Sequence, residues 1–410
     1  MKTKITFILM SALCLINLKA QEYVGLSMGP SYAYDIYYSL TDGITASPER
    51  TNWELAFSTN SYDNNIRINS GNNVKLYEVT SDISEWENIT ELSSNSMQLR
   101  NSNVDWSFGA FVVNTSDCLN YGWGDYNTET NIIEGSRIYI ITYGTNTKKL
   151  IINSLDSGVY NLIISNLDGS SQEDVSIDVT PFSDKNFIYY SLQSGEIIDR
   201  EPNSNQWDLL FTKYEEDLNN DISNPLDYEQ AYFVTGVLTN GNLMAQYDGS
   251  IEDNYNIMDL DTTRNINTIG YDWKEYTGTF SMVPNRSYYI ADQDSEFVYK
   301  IIFESFSGQS SGNISFNILE TEQHVSTQEY GLSSDKINIY PNPSSGVFFL
   351  DFKSSSNINI TVKNLAGQTI KTEKLNTSNW IDLSDQVQGF YIIHITGTNI
   401  NKVKKVSIVK

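Results

Sequence analysis

The pentapeptide Ile-Tyr-Tyr-Ser-Leu occurs twice, at residues 36–40 and 188–192. In both places a turn-rich connector leads from it to an alternating apolar strand. That strand carries Trp53, Leu55 and Phe57 in the first copy and Trp207, Leu209 and Phe211 in the second. A period of two places each triplet on one sheet face. Downstream, Arg137 and Tyr139 match Arg286 and Tyr288. Lys149, Leu150 and Ile151 match Lys300, Ile301 and Ile302, and Trp123 and Trp273 precede the two runs. Ordered matches at a near-constant offset mark a duplicated unit, and so long a period means tandem domains and not a solenoid. The pattern predicts an all-β chain whose body is two homologous antiparallel β-domains, residues 22–180 and 181–320. No sustained 3.6-residue apolar period occurs, so helices should be few and short.

Both ends differ from the body. Residues 1–20 read as a secretory signal: a basic MKTK, an apolar run, and a small residue, Ala20, for cleavage. The run is shorter than the ~20 residues a spanning helix needs, and no other stretch approaches that length, so no transmembrane segment is expected. The mature chain keeps one cysteine, Cys118, so sheets and their cores must stabilise it without disulfides. Residues 321–335 are polar and read as a linker. Strand and turn signals restart over 336–410, a pattern that predicts a small Ig-like sandwich.

Charge is uneven. The chain carries −25, and losing Lys2, Lys4 and Lys19 with the leader leaves −28. From Ser334 onward nine lysines face five acidic residues, so residues 21–333 hold about −32. Such a surface repels phosphate backbones, which argues against nucleic acid as a partner.

Catalytic machinery is not evident. The two histidines, His324 and His394, lie in the linker and the tail. The body therefore cannot build a Ser-His-Asp or Cys-His site, or most zinc sites. Nucleophile-elbow, HExxH and P-loop patterns are missing, and no enzyme is expected. Asp259 with Asp261, and Asp292 with Asp294, have the spacing of turn-forming aspartates more than of a calcium loop.

Each copy, through Tyr37, Tyr38, Trp53 and Phe57 or Tyr189, Tyr190, Trp207, Phe211 and the segment Gly270-Tyr271-Asp272-Trp273, resembles the HmuY-like family of secreted haem-binding proteins. The resemblance implies haem as a possible cofactor. With no histidine in the body, the axial options are Met or Tyr, and Met244, Met258 and Met282 of the second copy are the candidates, though each reads more readily as a core gap-filler. The alternative is an adhesin-type module that binds protein or glycan without a cofactor.

The tail resembles the type A C-terminal sorting domain of the type IX secretion system, through Tyr340, Pro341, Asn342, Pro343, Gly367, Gly389, Lys404, Lys405 and Lys410. That implies the type IX machinery as partner. It further implies export from a Gram-negative bacterium through the periplasm, with the product secreted or held at the outer-membrane surface.

Overall fold

The computed structural model describes residues 21–409, apart from 61–62, 95, 113–118, 218–230, 251–254, 293–296, 322–337, 341–343, 352–357, 365–367, 376–379 and 398–399. Ala20, Cys118, His324, Pro341, Asn342, Pro343, Gly367 and Lys410 therefore lie outside the described residues. Two compact units form, one up to Val325 and one from Ser326 onward. The described residues form β-strands and short 3-10 turns, and the paired strands are antiparallel.

The duplication is visible in the strand register, with an unexpected pairing. The first Ile-Tyr-Tyr strand, Ile36–Ser39, lies beside Leu209–Asp217 of the second copy, with Ile36 opposite Phe211, Tyr37 opposite Leu210 and Tyr38 opposite Leu209. The second, Phe187–Ser191, lies beside Leu55–Ser58 of the first copy. Here Ile188 faces Phe57, Tyr189 faces Ala56 and Tyr190 faces Leu55. Carboxylates seal both junctions alike: Leu40 N donates to Asp208 at 2.8 Å and Leu192 N to Glu54 at 2.7 Å.

Residues 55–198 consequently form one continuous lobe, a four-stranded sheet packed on an eight-stranded sheet. The other lobe is split. Its four- and five-stranded sheets combine residues 22–46 with residues 209–320. The expected division at 180/181 does not follow these lobes. Strand Glu173–Asp178, the outermost strand beside Val159–Asn166, is the counterpart of Glu22–Ser27, which edges Asn313–Glu320. The second copy thus begins near residue 173. In both copies eight residues join the edge strand to the Ile-Tyr-Tyr strand, and the two strands lie in the same lobe.

Each lobe has its own core. Leu55, Phe57, Tyr139, Leu150, Ile188 and Tyr190 are buried together in the first, and Ile36, Tyr38, Leu209, Phe211, Tyr288 and Ile301 in the second. Trp123 and Trp273 are fully buried at matching places. Even the bulges recur, after Ile152 and after Phe303. The C-terminal unit is a sandwich of a three- and a four-stranded sheet around Phe348, Ile360, Val362, Ile381 and Ile393. Tyr340 ends its first strand, Gly389 opens strand Gly389–Gly397, and Lys404 and Lys405 lie on the last, Ile400–Ile408.

Candidate functional site

Alternation along each Ile-Tyr-Tyr strand sends the isoleucine and second tyrosine into a lobe core and the first tyrosine out of the opposite face. Tyr37 and Tyr189 are those outward residues, and they meet between the lobes, hydroxyl to hydroxyl at 3.3 Å. Tyr37 packs edge-on against Trp207 at 5.1 Å, and Tyr189 against Trp53 at 4.8 Å. Edge-to-face pairs of this kind add about 0.5–1.5 kcal/mol beyond the area they bury.

The symmetry of this junction breaks at charged residues. Asp35 occupies in the first copy the place that Phe187 takes in the second. Arg200 Nη2 donates to its carboxylate at 2.7 Å and Thr212 Oγ1 donates to the other oxygen at 2.7 Å. Glu201 accepts from Tyr189 Oη at 2.7 Å and from Asn186 N at 2.9 Å. Burial pushes the Glu201 carboxyl up to about 7, against the opposing pull of these bonds and of Arg200 and Lys185. Burial alone would lower the Arg200 guanidinium, but Tyr37, Asp35 and Tyr189 outweigh it and raise it. Burial raises both phenols far above the usual tyrosine value. Arg50 turns away from this network to the carbonyls of Tyr32 and Gly71. A Cβ on Gly71 would lie 1.8 Å from Lys213 O, so glycine is required where the lobes touch.

Trp106 wedges into the same junction. Arg67 fixes its loop by donating to the carbonyls of Ser102, Asp105, Trp106 and Phe108, and its guanidinium stands 4.9 Å from the indole centre. Across the junction Trp106 Nε1 donates to Thr239 O at 2.8 Å. Two hollows flank this indole. A narrow cavity of about 70 Å³ touches Asp35, Tyr37, Trp53, Arg67, Arg200 and Lys213. A wider cleft of about 590 Å³ is walled by Asn60, Asp63, Asp105, Phe108, Asn186 and Arg264, among others. Trp106 and Phe187 wall both. Burial raises the Asp63 carboxyl above its usual value; nearby Asp105 adds to this, while a bond from Ser58 and the charge of Arg67 oppose it.

The methionines suggested by the resemblance do not gather here. Met244 is fully buried in the second lobe's core and Met282 packs partly buried against that core. Met258 stands 54% exposed on the turn Ile257–Asp259. Neither hollow is lined by any of them. Asp259 and Asp261 lie at and just beyond that turn, and among the described residues no cluster of three or more His, Cys, Asp or Glu converges. Sequence reasoning passed over Asp35, Trp106 and Arg200. The one signal available was disagreement between the copies, an aspartate in one where the other has phenylalanine.

Residues 338–410 match the family described as the secretion system C-terminal sorting domain. The tail is a type IX sorting domain. No curated protein matches the chain. The sorting domain makes this a type IX client, secreted or held at the cell surface, and implies contact with that machinery. Among the described residues no helix is long and apolar enough to cross a membrane.

Proposed function

We propose that the two-lobed body is a non-catalytic, glycan-binding module presented outside the cell, with the wide cleft at Trp106 as its seat. The observation that carries this is the lining of that cleft. Planar amide, carboxylate and guanidinium groups on Asn60, Asp63, Asn186 and Arg264 stand beside the aromatic faces of Trp106 and Phe108. Sugars offer the complementary surfaces, hydroxyls that donate and accept and C–H faces that stack on rings. The volume, about 590 Å³, falls within the ~300–1,000 Å³ of small-ligand sites. Haem capture lacks comparable support, because Met244 is enclosed in a packed core and the candidate methionines share no hollow.

The test is a glycan array probed with the mature chain, followed by titration of the hits. Saturable binding is expected, weakened about tenfold by Phe108→Ala, a ring 55% exposed whose loss spares the core. An array without hits, alongside a saturable Soret shift on adding haemin, would replace the glycan reading with haem capture. Hydrolysis of a retained glycan that stops in Asp63→Asn would replace binding with glycosidase chemistry.

A further inference from the structure

The narrow cavity behind the cleft reverses the charge of the protein. The chain as a whole carries −25, yet Arg67, Arg200 and Lys213 line this space, and Asp35 is the one carboxylate residue among its described lining. Arg50 stands close behind: burial lowers its guanidinium and the charge of Arg200 lowers it further, with Asp35 opposing. Burial likewise lowers the Lys213 ammonium, and Arg50 adds to that. Asp35 is already engaged by Arg200 and Thr212, and Arg50 donates from Nε and Nη1 to carbonyls, which does not cancel its charge. Two further donors of the cavity's lining residues, Arg200 Nε and Trp53 Nε1, have no acceptor among the described residues. Crowded, partly desolvated cations with spare donors are costly unless an anion joins them.

Size limits that anion. About 70 Å³ is several times the ~10–15 Å³ that one water needs and too little for a sugar ring. The cavity shares Trp106 and Phe187 with the wide cleft, so the two spaces lie side by side at this indole. Resting on the glycan reading above, we infer that the ligand is a sugar bearing a single acidic group, a carboxylate or a sulfate ester, with its ring in the cleft and its charge in the narrow cavity. A polyanionic chain does not fit, because the acidic body around this basic spot repels further charge.

The experiment titrates the mature chain with three sugars that share one scaffold: neutral, carboxylated and sulfated. Either acidic form should bind at least about tenfold tighter than the neutral one, with the margin shrinking as salt rises. Whichever of the two wins names the source of the charge. Lys213→Gln, at a half-buried site outside the lobe cores, should shrink the margin, with affinity for the neutral sugar measured on the same variant as the baseline. Equal affinity for all three sugars overturns this inference and leaves the glycan module standing. A margin left unchanged by Lys213→Gln also overturns it, by placing the charge elsewhere. Competition by acetate or sulfate alone at equal strength assigns the cavity to free anions and overturns the link to sugar. Failure of every sugar to bind removes the glycan module itself.

Discussion

Glu201 is nearly inaccessible to solvent and receives hydrogen bonds from Tyr189 and the Asn186 amide. Burial raises its folded carboxyl from the ordinary 4.5 of a solvated glutamate to about 7. Between those values the folded state binds more protons than the unfolded state. Stability from this group is therefore full below about pH 4.5, falls as the pH rises through the window, and levels off above about 7. The whole fall is on the order of 3 kcal/mol. Glu201→Gln keeps an oxygen for the Asn186 amide and removes the titration. Urea unfolding at pH 5 and pH 7.5 should show a larger difference in wild type than in the variant. Other buried acids, Glu54 and Glu216 among them, shift in the same direction, so the comparison between the two proteins isolates Glu201. Equal pH dependence in both would mean that this carboxyl titrates as an exposed one.

At the scale of the strand, the lobes and the sequence copies part company. Residues 55–198 contain both sheets of the first lobe, including the second Ile-Tyr-Tyr strand. A fragment cut at residues 50–198 should unfold cooperatively. A fragment cut at 21–180 loses Ile188 and Tyr190 from one core and carries Ile36 and Tyr38 without theirs; it should be unfolded or self-associated. Near-UV circular dichroism and size-exclusion chromatography decide it, and a monomeric, fully structured 21–180 fragment would show the exchange to be dispensable. The sequence displayed the strands, their period and their equivalence, because alternation and turn residues are local. It did not display their partners. Leu55 with Phe57 and Leu209 with Phe211 offer the same alternating face, so either Ile-Tyr-Tyr strand fits either site by pattern alone. The deciding feature is which lobe holds the preceding edge strand, Glu22–Ser27 or Glu173–Asp178. The candidate site was hidden for a related reason: Asp35, Trp106 and Arg200 meet only once two separately built lobes are brought together.

For the whole molecule, the body closes on itself, since its first strand Glu22–Ser27 pairs with its last, Asn313–Glu320. The sorting domain beyond is a separate compact unit with its own core. Among the described residues, each core is built from residues of its own unit. The sequence divides its charge the same way, acidic before Ser334 and basic after it. A domain that contributes nothing to the body's core and opposes its charge is suited to act as an address alone. A chain ending at residue 325 should therefore fold with an unfolding midpoint within about 2 °C of the full chain, because the body keeps every described residue of its own cores. It should also remain inside the cell instead of reaching the surface or medium. Fractionation of cells expressing the two forms, with circular dichroism on each purified product, measures both properties. Surface delivery of the shortened chain would mean that the body carries an export signal of its own. A large loss of stability would mean that the two units fold as one. The converse experiment completes the separation: residues 338–410 fused to an unrelated secreted β-domain should carry that passenger to the surface.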